Sequence, residues 1–478
     1  MRITRRQLVL GAAASGLVGC TPRRLPGRPE LRWGVQSGEV DASSAVIWAR
    51  TSREARFKVE WSTSPSFDRV VRVDGPVATE ETDFTGKVRL TGLPSGVPIH
   101  YRAGFDDSEL ELGSLTTAPL DDRSVLLAWS ADVNGQGYGF DPAQGGMPAF
   151  RALLERRPDL FIHCGDGIYA DVPIEPYIGS WNAFIDPERG PGPARTLKEL
   201  RAAWRYARHC REVRQLSAAV PIVAIWDDHE VTDNWAPGVI PAALLDDARR
   251  AMYEHLPTLR DPLLPMYRVM RWGPLVDVFL LDGRSGRTHT KMLGDAQVTW
   301  LIDALGASTA VWKIIAMGQP IGESVTSFDA AGEIEWDTWA NDAGVPVDRE
   351  VELARILSAI KARNIANVVW ISADVHYGAA TRFDPARAAF KDFLPFWELI
   401  AGPMHAKTFP PNPLDDTFGP EREWISARPD RGRDDRGTPQ NGEQYVGLLA
   451  IDGKTRALTV TWIDARGRDA HRLVLPAA

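Results

Sequence analysis

Cysteine is scarce. The 478 residues hold three, and Cys20 belongs to the leader described below, so Cys164 and Cys210 are the thiols left to the folded chain. Two thiols cannot build a disulfide framework, and the fold must rest on a buried core. Cys164 sits in the apolar run Leu160-Phe161-Ile162-His163-Cys164 and Cys210 in an Arg-rich stretch, which reads as buried or idle rather than nucleophilic. Positive charge is not in excess either. Lys and Arg number 55 against 63 Asp and Glu, a formal net charge of -8. The basic field that holds a phosphodiester backbone is missing, so no nucleic-acid-binding domain is expected. No apolar run beyond the leader approaches the roughly 20 residues that span a bilayer. Internal repeats and low-complexity tracts are missing too, and the Arg-, Asp-, Gly- and Pro-dense segment from Arg428 to Gly442 reads as a solvated loop. What is there is ordinary globular composition, 44% hydrophobic and 25% charged, with 17 Trp to fill cores. The length suits about two or three domains.

Residues 1–20 read as an address. Thr4-Arg5-Arg6-Gln7-Leu8-Val9-Leu10 precedes a small-residue apolar stretch, Gly11 to Gly19, too short for a permanent membrane helix. A twin-arginine export signal is expected. Leu17-Val18-Gly19-Cys20 is similar to the lipobox of bacterial lipoproteins, in which the Cys is lipidated; a plain signal with Cys20 incidental is the alternative. The expected location is extracytoplasmic, periplasmic or cell-surface, with membrane association only through that lipid.

Two grammars follow. Residues 30–118 show short alternating stretches, such as Phe57-Lys58-Val59-Glu60-Trp61 and Lys87-Val88-Arg89-Leu90, between Gly, Pro, Ser and Asp turns. They predict a small antiparallel β-sandwich of fibronectin or immunoglobulin type. Residues 121–476 change to continuous apolar runs separated by helical stretches, an α/β (α+β layered) domain whose strands are buried on both faces.

The informative feature is how those runs end. Ser124 to Ala131 ends on Asp132, Asp159 to Gly165 on Asp166, Pro221 to Trp226 on Asp227-Asp228-His229-Glu230, and Asn367 to Ala373 on Asp374-Val375-His376. The C-terminal ends of strands in a layered α/β protein share one rim, so these groups converge. One such Asp is a turn former or a helix cap. Four together with two His are poorly explained that way, because clustered acids repel unless a cation neutralises them. Carboxylate with imidazole suits hard to borderline metals, and the expectation is a two-metal site.

Gly165-Asp166-Gly167-Ile168-Tyr169, Trp226-Asp227-Asp228-His229-Glu230 and Ser372-Ala373-Asp374-Val375-His376 stand in an order that resembles the alkaline phosphatase D (PhoD-like) family of metallophosphatases. Gly34-Val35-Gln36-Ser37-Gly38-Glu39, Phe279 to Arg284, Leu293 to Gln297 and Ala401-Gly402-Pro403 extend the likeness over most of the mature chain. The resemblance implies Asp166 as the carboxylate bridging two metals and Tyr169 as a phenolate ligand from the first helical turn. It implies Asp228 as a ligand, Asp227 as a supporting group, and His229 as the group that contacts phosphate and protonates the leaving alkoxide. Asp374 and His376 would be ligands, placed on one side by an extended segment. Family members that use iron with calcium carry a Cys where Asp132 stands, and this harder ligand favours calcium, manganese or magnesium. The expected cofactors are two metal ions, calcium with iron or another divalent metal.

For the substrate, Asn134 in the glycine-rich stretch Asn134 to Gly139 offers an amide ligand or a phosphate contact, Arg284 a phosphate clamp or a salt bridge to Asp282, and His405 a pocket wall or a surface His. Trp235, Trp336 and Trp339 read mainly as packing. The resulting expectation is an extracytoplasmic phosphohydrolase that cleaves monoesters, diesters or both by a metal-bound hydroxide. The competing readings are a lipid-anchored metal- or phosphate-binding protein without turnover and a metallohydrolase of another ester class.

Overall fold

Seven short strands, two of them buried along their whole length, build the N-terminal region of the computed structural model, which describes residues 27–190, 192–328, 334–428 and 437–478. The leader with Cys20 lies outside the described residues, as do residues 429–436 of the Arg428 to Gly442 loop. The strands are β1 (Val35–Gly38), β2 (Ser44–Arg50), β3 (Ala55–Ser62), β4 (Val71–Ala78), β5 (Thr85–Thr91), β6 (Pro98–Phe105) and β7 (Glu111–Thr116). One sheet runs β4-β3-β6-β7 and the other begins β5-β2-β1. Phe57, Val59, Ile99, Tyr101 and Phe105 fill the space between them.

The second sheet does not stop at β1. That strand pairs in parallel with the region that follows, Gly38 opposite Ile222. Only glycine allows the approach, since a Cβ at Gly38 would lie 2.3 Å from the Ile222 carbonyl oxygen. The sandwich is therefore fused to the next region through a shared sheet.

The chain continues through β8 (Val125–Ser130), α1 (Pro148–Arg156), β9 (Leu160–Cys164), a small hairpin β10 (Tyr177–Ile178) and β11 (Trp181–Asn182), α2 (Leu197–Tyr206), α3 (Arg211–Ala219), β12 (Ile222–Ile225) and α4 (Ala242–His255). Then come β13 (Arg268–Trp272), β14 (Val276–Leu280), α5 (Asp295–Ala307), β15 (Trp312–Ala316), the hairpin β16 (Thr326–Phe328) and β17 (Ile334–Trp336), and α6 (Glu350–Ala362). It closes with β18 (Val368–Ser372), β19 (Ala379–Phe383), β20 (Phe396–Ile400), β21 (Pro420–Ile425), β22 (Tyr445–Ile451), β23 (Leu458–Asp464) and β24 (Asp469–Leu475).

These strands form a nine-stranded sheet, β24-β23-β22-β8-β9-β12-β1-β2-β5, and a seven-stranded sheet, β13-β14-β15-β18-β20-β19-β21. Leu127, Trp129 and Ile162 of the first share a core with Val278, Ile314 and Ile371 of the second. The alternate residues face outward: Ala128 and Phe161 meet Phe150 of α1 and Leu216 of α3, while Phe279 and Ile315 meet Leu301 of α5 and Leu357 of α6. Burying both faces explains the unbroken apolar runs. Among the described residues, no helix is long and apolar enough to cross a membrane.

Candidate metal centre

β8, β9 and β12 are parallel neighbours, so the segments that follow them emerge side by side. β18 lies in the other sheet, and the Trp129 indole N–H donates to the Ser372 carbonyl at 3.3 Å, tying the strand ends of the two sheets. Beyond the strands the backbone turns sharply. Asp132, Asn134, Asp166, Asp374 and His376 all have positive φ, from 52° to 69°. Such left-handed conformations at non-glycine residues gather at functional sites, where neighbouring structure holds them. Gly165 (φ 106°) allows the loops to close, because a Cβ there would lie 2.5 Å from that of Asp227.

One half of the centre is Asp132, Asp166, Tyr169 and His376. His376 Nδ1–H donates to the Lys407 carbonyl at 2.5 Å, which leaves the lone pair of Nε2 facing inward. Tyr169 O–H donates to that nitrogen at 2.8 Å, and Asp132 Oδ1 stands 3.4 Å from it. Asp132 is fully buried, and neither of its oxygens has a hydrogen-bond partner. The other half is Asp228, Asp374, Asp227 and His229. Ligand atoms of Asp166, Asp228 and His229 lie within 4.8 Å of one another, and so do those of Asp227, Asp228 and Asp374.

The charges do not balance. Burial and the neighbouring charges of Asp228, Asp227 and Glu230 push the Asp166 carboxyl well above its ordinary range, and burial with Asp337 and Asp227 does the same to Asp374. A buried carboxylate with both oxygens unpartnered, beside an imidazole nitrogen, is the environment that a cation completes. Carboxylate, phenol and imidazole donors fit divalent metal ions of hard to borderline character.

His229 and its supports complete the site. Its Nδ1–H donates to Asp171 at 2.8 Å, its ring stacks on Tyr169 with centroids 4.0 Å apart, and its Nε2 stands 3.9 Å from the exposed carboxylate of Asp233. Burial alone would depress the imidazole, but the Asp228 charge, the bond to Asp171 and the Asp233 charge push it up to about 10. Glu230, also buried, accepts the backbone N–H groups of Asp166 at 3.2 Å, Gly167 at 2.7 Å and Asp227 at 2.9 Å, pinning the loops after β9 and β12 to one another. Neither Asp171 nor the role of Glu230 was expected from sequence. Asp171 lies two residues beyond Tyr169, and Glu230 stands inside a quoted motif with no sign of which backbone groups it would meet.

Several expectations need correcting. Tyr169 does not sit on a helical turn but on an irregular loop after β9. Asp374 and His376 do not lie on an extended segment. Their left-handed backbone sends Asp374 toward Asp227 and Asp228, and His376 toward Asp132. Arg284 is fully buried beneath the carboxylates, with Nε 2.5 Å from Asp227, Nη1 2.9 Å from Asp337 and Nη2 3.6 Å from Asp228, so its fork is already spent and neither a phosphate clamp nor an Asp282 side-chain pair describes it. His405 is fully buried, and it contributes backbone: its carbonyl accepts Asn134 N–H at 2.8 Å and its N–H donates to the Asp132 carbonyl at 2.9 Å. Asn134 is buried beside them with its side-chain oxygen unpartnered. Trp235 and Trp339 are core residues.

The profile of the PhoD-like phosphatase family matches residues 127–462, and that of the PhoD-like phosphatase N-terminal domain matches residues 17–119. The alkaline phosphatase D of Bacillus subtilis (strain 168) is 27% identical over 386 residues, which is 72% of this chain and 64% of that protein; the chain thus spans less than two thirds of that relative's length. Among solved structures, one of PhoD superposes with a TM-score of 0.72 at 20% identity, covering 95% of this chain and 90% of that one. A purple acid phosphatase from yellow lupin (Lupinus luteus) seeds superposes with a TM-score of 0.61 at 11% identity, covering 94% and 74%. At these identities the two superpositions bear on fold alone.

Proposed function

This chain belongs to the PhoD-like phosphatase family, and on that premise we propose that it is a metal-dependent phosphohydrolase acting on small phosphate monoesters, diesters or both. The observation that carries the reading is Asp132, a buried carboxylate with both oxygens unpartnered, facing His376 Nε2 at the ends of strands that also deliver Asp166, Asp228 and Asp374. Asp132, Asp166, Tyr169 and His376 would hold one cation and Asp166, Asp228 and Asp374 a second, calcium with iron or another divalent metal. Such a pair supplies Lewis-acid charge to a phosphoryl group and lowers the pKa of water. The chain's own residues do the rest. Asp171 holds Nδ1 of His229, so Nε2 carries the proton outward to the leaving oxygen. Tyr169, stacked on the ring, fixes its plane. Glu230 keeps the two loops in register.

The test is turnover of an aryl phosphate monoester and diester by the purified chain. Activity abolished by a chelator and restored by divalent metal supports the proposal. A metal-loaded, folded chain that turns over neither ester contradicts it and favours a binding protein without turnover. We further propose export by the twin-arginine route with lipidation of Cys20, motivated by Arg5-Arg6 and the Leu17 to Cys20 sequence. Fatty-acid labelling that persists in Cys20→Ser would contradict it.

A further inference from the structure

His229 is flanked by two carboxylates with different surroundings. Asp171 is buried against Nδ1. Asp233 stands 3.9 Å from Nε2, and its side chain is 70% exposed. The backbone that carries it is anchored, since the Asp233 N–H donates to the second oxygen of Asp171 at 2.7 Å. The next residue, Asn234, donates its N–H to Asp228 at 2.7 Å, so the turn that carries Asp233 is anchored to the centre on both sides.

Nε2 is the atom that meets the leaving oxygen. Any leaving oxygen within hydrogen-bond reach of it places the departing group within about 7 Å of the Asp233 carboxylate, in contact with solvent but beside an acid-rich rim. We propose that Asp233 selects the ester by the charge of its leaving group, accepting neutral or cationic groups and disfavouring anionic ones. The inference rests on the phosphohydrolase reading above, because it takes His229 as the proton donor. A fixed like charge at that distance, half screened by water, changes transition-state binding by about three- to tenfold. Asp171 cannot act this way, since its charge is spent on Nδ1.

The experiment uses the metal-loaded full chain and three aryl phosphates of matched phenol acidity, bearing a neutral amide, a trimethylammonium or a carboxylate on the departing ring. The quantity read is the ratio of kcat/KM for the cationic and anionic esters, in which any uniform loss cancels. The expected result is a ratio above one that falls about ten- to a hundredfold in Asp233→Asn, because attraction of the cationic and repulsion of the anionic ester multiply, is retained in Asp233→Glu, and shrinks in the unmutated chain as salt rises. A ratio unchanged in Asp233→Asn, or indifferent to salt, overturns the proposal while leaving the hydrolase intact. No turnover of any of the three overturns the hydrolase reading and this inference with it.

Discussion

At the seam between the sandwich and the helices, Asp83 meets Arg50 at 3.0 Å, Arg205 at 2.6 Å and His255 at 3.0 Å. At the strand ends, Asp132, Asp166, Asp228 and Asp374 gather with little cationic compensation: Arg284 stands 3.6 Å from Asp228 and otherwise pairs with Asp227 and Asp337. Both clusters are buried. In the first, burial would raise the Asp83 carboxyl, yet His255 and Arg50 hold it well below its ordinary range. In the second, burial and then the neighbouring carboxylates drive the Asp166 and Asp374 carboxyls upward. The difference separates a cluster that closes a structure from one that is completed only by a ligand. Acid density alone does not tell them apart, whereas charge balance does.

Substitutions should make the contrast visible. Asp166→Asn is expected to reduce phosphatase activity to background and to release metal, while relief of like-charge repulsion leaves the metal-free chain no less stable; thermal unfolding in chelator checks the second half. His229→Ala should lower kcat by about 10²- to 10⁴-fold with metal content unchanged, read by steady-state kinetics beside elemental analysis. Asp83→Asn should do the opposite of Asp166→Asn, destabilising the fold by about 3–5 kcal/mol in denaturant titration while metal stoichiometry stays constant. Glu230→Gln should weaken metal affinity by about 10- to 100-fold, measured by competition with a chelator, because its three backbone contacts orient the ligands rather than bind the ions.

The smallest expected effect is in pH. Burial pushes His255 down to about 4 from an ordinary 6.5, against the pull of Asp83. The unfolded chain therefore takes up that proton first as pH falls. The contribution of His255 to stability is complete above about pH 6.5 and is lost progressively toward pH 4. Unfolding free energy followed across that window should slope downward with acid, and His255→Gln should flatten the slope.

Much of this was readable before the structure. The apolar runs ending in Asp132, Asp166, Asp228 and Asp374 announced a shared rim, because strand ends in a layered α/β fold point the same way. The fusion of the sandwich to the α/β region was not readable, since one parallel pairing of Gly38 with Ile222 leaves no periodic trace. Arg284 was misplaced because its partner Asp337 lies 53 residues away, on a segment that sequence pattern does not connect to it. Asp171 and Glu230 share that difficulty: side chains that act by orienting others carry no spacing rule. The left-handed backbone at Asp374 and His376 explains why alternation failed locally, as strained conformations at a site override the period of a strand.

The most direct test is the metal content of the unmutated full chain, isolated without chelator and compared with Asp83→Asn and Asp166→Asn. The account predicts about two tightly held ions per chain in the first two proteins and their loss in the third. A natively folded, unmutated chain that holds no stoichiometric metal, even after exposure to calcium, manganese and iron, would contradict it.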